Sequence, residues 1–217
     1  MSGQAERSIR RAGSAALLVE VDDLAGVLEL QHELRREPPA GLLELVPAAR
    51  TLFVAYDPRV TTHDALTRTL ADRVAGLTGK RATDAGDGLG VLDVPVRYDG
   101  PDLAAVAQHT GLSTAEVVAR HTAPLYTVAF SGFAPGFGYL TGTDPALRLP
   151  RRAEPRTEVP AGAVAVAGGF TGIYPRPSPG GWQLLGTTTL PLWNERRDPP
   201  ALLVPGRSVR LRAVSRP

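Results

Sequence analysis

Glycine and proline crowd one segment, residues 126–193, and this feature most restricts what the chain can fold into. Glycine permits positive φ and close backbone approach, whereas proline fixes φ and removes a hydrogen-bond donor. The segment therefore cannot be a long helix. Its apolar runs at 126–130, 163–167 and 182–185 predict short buried strands joined by rigid turns, because disordered linkers lack such runs. Rigid turns that carry Arg, Tyr, Ser and Trp side chains often form binding surfaces.

Composition places the chain among ordinary globular proteins. It has 217 residues, of which 43% are hydrophobic and 21% charged, so one or two domains with a real core are expected. The absence of cysteine excludes disulfides and thiolate chemistry. Lys80 is the single lysine, and the residues around it lack the spacing of a phosphate-binding P-loop.

The N-terminal residues and the hydropathy pattern predict a cytoplasmic protein. Residues 4–13 are polar and rich in arginine, which is unlike a signal peptide. No run approaches the ~18 apolar residues that a membrane helix needs. The net charge of +2 arises from interspersed charges of both signs, so no membrane partner is expected.

The first part of the chain predicts a small α+β domain. Strands are expected at 15–21, 42–46 and 51–56, and residues 1–13 are expected to be frayed. Helices are expected from 24 to 34, capped by Asp22 or Asp23, and up to residue 74, capped by Thr61 or Thr62. Residues 91–98 are either a fourth strand or the first strand of the next domain. The order β-α-β-β-α-β is that of a ferredoxin-like split unit.

A second domain is predicted from residue 86 onward. Two short helices come first, at 102–108 before Gly111, and from the capping box of Ser113 and Glu116 to about His121. They resemble a helix-turn-helix but lack a basic recognition face, so no nucleic-acid partner is expected. The strands and turns that follow, up to a terminal strand at 208–214, predict a closed or nearly closed barrel. The predicted domains are thus residues 1–85 and 86–217.

Six motifs in the second domain resemble those of a known family. They read GFAPGFGYL at 132–140, PRR at 150–152, PRT at 155–157, VPAG at 159–162, TGIYP at 171–175 and SPGGW at 178–182. The chain is similar to the family of the B subunit of 5-oxoprolinase, which is also catalogued as allophanate hydrolase subunit 1 and as an inhibitor of a sporulation histidine kinase. Ser131 departs from this pattern, since Leu or Ile is frequent there.

The resemblance implies a fold and an activity. The fold is a ferredoxin-like N-terminal domain followed by a cyclophilin-like β-barrel domain. The activity is ATP-dependent opening of 5-oxo-L-proline to L-glutamate, with ATP, accompanied by Mg²⁺, as cofactor and with 5-oxoprolinase subunits C and A as partners. Alternatives are a regulatory module that inhibits a sensor histidine kinase, and allophanate hydrolase subunit 1.

The candidate site residues lie mostly in the motif-bearing segment. Arg151, Arg152 and Arg156 are forks suited to a carboxylate or phosphate, although surface arginines are the alternative. Arg156, on a rigid turn, and His121, as an acid or base, are the catalytic candidates. Phe133, Phe137 and Tyr139 are candidates to line a pocket, although barrel core is the favoured interpretation for them and packing is favoured for Trp182. The other candidates for substrate binding are Pro135, Gly136, Phe137, Tyr139, Thr171, Tyr174, Ser178, Trp182 and Gln183.

The sequence predicts that the chain is inactive alone. It shows no metal-ligand spacing, no P-loop and no recognisable nucleophile–base pair. Yet more than sixty residues form turns suited to a ligand. A half-site that another subunit completes, in a hetero-oligomer, accounts for both observations.

Limited proteolysis tests the predicted boundary, because residues 76–90 are rich in Gly, Asp and Thr and predict a flexible connection. Trypsin is expected to cut first after Lys80 or Arg81 and to leave a stable C-terminal fragment, as read by mass spectrometry. Early cleavage confined to residues 130–180 would contradict the boundary.

Overall fold

The structure is a computed structural model that describes residues 8–78 and 90–215. The chain divides into two units, Met1–Asp84 and Ala85–Pro217. Most of the stretch expected to connect two domains, residues 79–89, lies outside the described residues. Within the described ranges, no helix combines the length and the apolar character that crossing a membrane requires. The cytoplasmic location stays a prediction.

The first unit is an antiparallel four-stranded sheet with two helices. The strand order is β1-β2-β4-β3. In chain order the elements are β1 (Ser8–Arg11), β2 (Ala16–Glu20), α1 (Leu24–Arg36), β3 (Leu42–Pro47), β4 (Thr51–Tyr56) and α2 (His63–Gly76).

Alternating and helical apolar patterns build the core of this unit. Leu17 and Val19 of β2 and Leu52 and Val54 of β4 are fully buried, as a half-buried strand with period two requires. The helices add Leu30 to the same cluster, among other residues. Of the proposed capping residues, the structure selects Asp23, which accepts from the amide of Gly26, and Thr62, which accepts from that of Ala65.

The expectation for residues 1–13 was wrong at residues 8–11. Ser8–Arg11 pairs with β2 as an edge strand. Its sequence, SIRR, is mostly polar, and Ile9 is the one apolar residue that it packs against the core, so the strand is hard to recognise from the sequence. The order within residues 8–78 is therefore β-β-α-β-β-α. The strand predicted at 91–98 is observed at Leu92–Val96, where it pairs with a strand of the second unit, so it is the first strand of that unit.

The second unit is a nearly closed barrel-like sheet of seven strands. Their order is β12-β9-β10-β7-β6-β13-β5, and β5 and β13 are parallel. Arg97, just beyond β5, pairs with Thr187 at the end of β12 through two hydrogen bonds of 2.8 Å, which joins the two outer strands. The strands are β5 (Leu92–Val96), β6 (Leu125–Ser131), β7 (Gly138–Thr141), β9 (Ala163–Ala167), β10 (Phe170–Ile173), β12 (Gln183–Thr187) and β13 (Ser208–Ala213), and β8 (Arg156–Val159) pairs separately with β11 (Ser178–Gly180).

Two helices, α3 (Leu103–Thr110) and α4 (Thr114–Thr122), pack on the barrel, and a 3₁₀ turn lies after β7, at Pro145–Leu147. Gly111 ends α3 with a φ of 70°, and Ser113 and Glu116 form the predicted capping box. These two ends were predictable because local chemistry determines them.

The barrel core explains why β9 reads as an uninterrupted apolar run. All five residues of β9 are buried. Val164 faces the barrel interior, Ala165 packs with the aromatic residues, and Val166 packs beneath α3 and α4. A strand covered on both faces has no polar side to reveal its alternation.

Candidate functional site

The turn between β6 and β7 carries a strained and exposed aromatic side chain. Phe133 has a φ of 66°, and among residues 8–78 and 90–215 no other residue except glycine has a positive φ. A bulky side chain is seldom found there, because its Cβ crowds the backbone. Phe133 is nevertheless 58% exposed. Strain of this kind is concentrated at functional sites, so Phe133, for which the sequence favoured barrel core over a pocket, becomes a site candidate.

Phe133 lies over a cluster of edge-to-face rings. Its ring centroid is 5.3 Å from that of Phe137 and 6.0 Å from that of Tyr174. Phe137 also contacts Tyr139 at 5.0 Å and Trp182 at 5.7 Å. Each such pair adds about 0.5–1.5 kcal/mol beyond the area it buries. Because Phe137, Tyr174 and Trp182 are buried, they support the exposed ring and fit the core interpretation of these residues.

Glycine at position 172 makes this ring packing possible. A Cβ there would lie 2.7 Å from Cζ of Phe137 and 2.9 Å from Cζ3 of Trp182. Contacts that close would force the rings apart. The glycine of the TGIYP motif is thus explained by the aromatic cluster above it rather than by a positive φ.

Arg151 adds a positive charge next to the two tyrosines. Burial raises the pKa of both Tyr139 and Tyr174, and the charge of Arg151 acts in the opposite direction on each. Arg151 is exposed and forms no ion pair within the described part of the chain. We call Phe133, Tyr139, Tyr174 and Arg151 the aromatic face. It combines an exposed ring, the hydroxyl of the partly buried Tyr139 and one uncommitted cation, with the buried Tyr174 beneath them.

The two other arginines of the predicted trio are committed to a buried carboxylate. Oδ1 of Asp102 accepts from Nη1 of Arg152 at 3.0 Å and from Nη2 of Arg156 at 2.7 Å. Oδ2 of Asp102 accepts from the backbone amide of Leu184 at 2.7 Å. We call Asp102, Arg152 and Arg156 the Asp102 cluster. The trio therefore does not act as one anion site, and Arg156 has a structural partner that sequence reasoning missed.

The Asp102 cluster has one carboxylate for two guanidinium groups. Burial alone would raise the pKa of Asp102, but hydrogen bonds from Arg156 and the Leu184 amide, with both arginine charges, hold it below its usual value. The cluster thus carries a formal charge of about +1 at neutral pH. Nε of Arg152 and Nη1 of Arg156 are buried without a hydrogen-bond partner.

His121 lies in the interior, away from solvent. It is 0% exposed, Nδ1 is 2.8 Å from the hydroxyl of Tyr98, and Nε2 is 3.1 Å from that of Thr171. Burial lowers the pKa of His121 to about 3. A neutral imidazole donates at one nitrogen and accepts at the other, so it can form a hydrogen bond with each of these two hydroxyl groups. This placement argues against an acid–base role for His121. The candidate Thr171 is part of the same buried hydrogen-bond network, and its hydroxyl lies 3.0 Å from that of Thr143.

The remaining candidates are spread around the barrel. Pro135 is exposed in the turn after Phe133, and its preceding peptide bond is trans, since the cis bond in the described residues is Asp198–Pro199. Gly136 has a φ of 84° and packs where a Cβ would lie 3.0 Å from that of Trp193. Ser178 donates to the carbonyl of Arg176 at 3.4 Å.

Gln183 stands apart from the aromatic face. Its Nε2 donates to the carbonyl of Pro150 at 3.2 Å. Within the described residues, no group of three or more His, Asp or Glu side chains could hold a metal ion.

Comparison with known proteins establishes the class to which this chain belongs. Residues 7–203 match the family described as the carboxyltransferase domain, subdomain C and D. The B subunit of 5-oxoprolinase from Bacillus subtilis (strain 168) is 37% identical over 226 residues, covering 95% of this chain and 92% of that protein. The chain therefore belongs to the carboxyltransferase-domain family and, within it, to the family of 5-oxoprolinase B subunits that its motifs resemble.

Other relatives share only part of their length with this chain. The B subunit of 5-oxoprolinase from Escherichia coli O157:H7 is 53% identical over 122 residues, which are 55% of this chain and 56% of that protein. The crystal structure of TTHA0988 superposes with a TM-score of 0.72 at 44% identity, covering 97% of this chain and 41% of that one. The urea amidolyase of K. lactis shares the fold, with a TM-score of 0.75 at 19% identity over 99% of this chain and 15% of that one.

Replacement of His121 tests its structural role through pH. Because the pKa of His121 is lowered in the folded state, the unfolded state binds more protons between the folded pKa of about 3 and the ordinary value. The stabilising contribution of neutral His121 is therefore fully present above the ordinary pKa of histidine, and it decreases as the pH falls below that value. When the pH falls from about 7.5 to about 5, the free energy of unfolding of the wild-type chain is expected to decrease by roughly 2 kcal/mol more than that of His121→Gln.

Tryptophan fluorescence during urea unfolding measures this difference, since both tryptophans, Trp182 and Trp193, lie in the second unit. The exposed His109 is the matched control, and His109→Gln should keep the acid sensitivity of the wild type. Equal acid sensitivity in the wild type and His121→Gln would contradict a neutral, buried His121.

Proposed function

We propose that this chain is a subunit of an ATP-dependent 5-oxoprolinase, which opens 5-oxo-L-proline to L-glutamate together with partner subunits C and A. Its similarity to the Bacillus subtilis protein over 92% of that protein's length is the observation that carries the proposal. The aromatic face supports it, because an anionic substrate or cofactor needs a cation that no internal carboxylate neutralises, and Arg151 is such a cation.

The described residues fit part of a nucleotide site. Phe133 offers an exposed ring on which a flat group can stack, and Arg151 offers a fork for one phosphate or carboxylate. They do not fit a complete Mg²⁺–triphosphate, since Mg²⁺ bound to a nucleotide is usually held by one or two carboxylates together with the phosphates, and the aromatic face has no carboxylate. ATP, when bound, would supply the phosphoryl group that activates the resonance-stabilised amide of the lactam. This chain's residues would bind and orient the anionic groups.

The distribution of titratable groups supports a half-site. His121 is buried and neutral, and the carboxylate of Asp102 is held by two arginines. The four residues of the aromatic face supply a cation and the Tyr139 hydroxyl but no carboxylate or imidazole that could act as a general base. We propose that the partner subunits provide the missing groups, in a hetero-oligomer that is active only when assembled.

The finer fold assignment is also a proposal. The two-helix sheet of residues 8–76 is consistent with a ferredoxin-like unit in which β1 occupies the place of the usual last strand. The nearly closed seven-stranded sheet of the second unit is consistent with a cyclophilin-like barrel.

Reconstitution with and without subunits C and A tests the proposed function. The chain alone is expected to release no glutamate from 5-oxo-L-proline, and the assembled complex should do so with ATP hydrolysis. In the complex, Arg151→Ala should raise the KM for substrate or ATP tenfold or more, because a charge-assisted hydrogen bond contributes roughly 1.5–3 kcal/mol. The exposed Arg148 is the control, and Arg148→Ala should leave both KM values unchanged.

The outcomes separate the alternatives. Full activity of the isolated chain would overturn the half-site. Activity of the complex on allophanate but not on 5-oxo-L-proline would favour allophanate hydrolase subunit 1. Chains that never associate with the partners, and that inhibit a sensor histidine kinase instead, would favour the regulatory module.

A further inference from the structure

A small cleft opens between α3 and the end of the barrel. Its volume is about 150 Å³. Its wall is mostly apolar, with two polar side chains from opposite sides. The lining residues are Ala105, Val106 and His109 of α3, Leu149 and Pro150 of the loop before Arg151, and Gln183 of β12. A cavity of this size holds a single small ring such as benzene.

Gln183 presents an amide edge to this cleft. A carbonyl oxygen can only accept, so the bond to the Pro150 carbonyl fixes which end of the side chain is the nitrogen. The second N–H and Oε1 of Gln183 form no hydrogen bond within the described residues. A carboxamide with a free donor and a free acceptor complements another amide whose N–H and C=O lie on the same edge.

The Asp102 cluster links the three elements that line the cleft, which are α3, the loop before Arg151 and β12. Asp102 stands at the N-terminus of α3, and its side chain accepts from the amide of Leu184, which follows Gln183. It also binds Arg152, two residues after Pro150. Each wall is therefore tied to one carboxylate, so the cleft is pre-organised and a ligand need not order it.

We propose that this cleft binds the lactam ring of the substrate, a five-membered cyclic amide with an anionic substituent. A lactam holds its amide in the cis form, with N–H and C=O on one edge that matches the free edge of Gln183. Its methylene groups would contact Leu149 and Pro150, and the positive charge of the neighbouring Asp102 cluster favours an anionic substituent. This assignment deepens the proposed 5-oxoprolinase function and rests on it.

Binding to the full chain by NMR tests the cleft without any activity. Titration with 5-oxo-L-proline should shift the ring protons of His109 and the side-chain NH₂ of Gln183. Cyclopentanecarboxylate, a ring with the same charge and no amide, should bind at least tenfold more weakly. Gln183→Met keeps the volume and removes the amide, so it should abolish this preference, whereas Gln108→Met, at an exposed position of α3, should not.

The reconstituted complex provides the second readout. Gln183→Met and His109→Ala should each raise the KM for 5-oxo-L-proline, the former tenfold or more, and leave the KM for ATP unchanged. An active complex with unchanged KM in both variants would overturn the cleft but keep the proposed function. If the isolated chain shows lactam-selective NMR shifts but the complex is inactive on 5-oxo-L-proline, the cleft is still a lactam site and the proposed 5-oxoprolinase function is wrong. The absence of shifts in the isolated chain at any concentration of 5-oxo-L-proline would overturn the cleft, because its walls are already held in place there.

Discussion

The carboxylate of Asp102 is the group on which the second unit depends most. It is 3% exposed and accepts hydrogen bonds from two arginines and from a strand amide. Through these bonds it joins the start of α3, the arginine-bearing loop and β12. Two guanidinium groups compensate the burial of one carboxylate, because an unpaired charge at this depth would be costly. The same bonds decide which arginines remain available to a ligand.

The division of the arginines explains how one short loop can support two different surfaces. Arg152 and Arg156 hold the framework, whereas Arg151 lies beside the hydroxyls of Tyr139 and Tyr174. The aromatic face and the cleft at Gln183 are consequently separated by residues 150–152. One surface suits a flat group and an anion, and the other suits a small ring with an amide. Such a pair agrees with the proposed role of this chain in a complex that opens a lactam.

Local chemistry was predictable from the sequence, and tertiary pairing was not. The capping box of Ser113, the helix stop at Gly111 and the buried run of β9 follow from near neighbours, and the structure confirms them. The partner of Arg156 is 54 residues away, and the edge strand Ser8–Arg11 has a mostly polar sequence that does not predict its pairing with β2. His121 looked available next to the motifs, but its burial against Tyr98 and Thr171 depends on elements distant in sequence. The sequence suggested Phe133 as a possible pocket residue, but its positive φ and its exposure become visible only in the fold.

Amide hydrogen exchange in Asp102→Ala tests most directly whether this carboxylate ties the second unit together. Asp99, an exposed carboxylate in the same loop that binds the Thr187 hydroxyl at 2.9 Å, provides the control. In Asp102→Ala the amide of Leu184 and those of α3 are expected to lose protection by roughly tenfold or more, since removing a partner of buried donors costs about 1–3 kcal/mol. Asp99→Ala should leave these amides protected. Wild-type exchange at Leu184 and throughout α3 in Asp102→Ala would contradict the central role of this carboxylate.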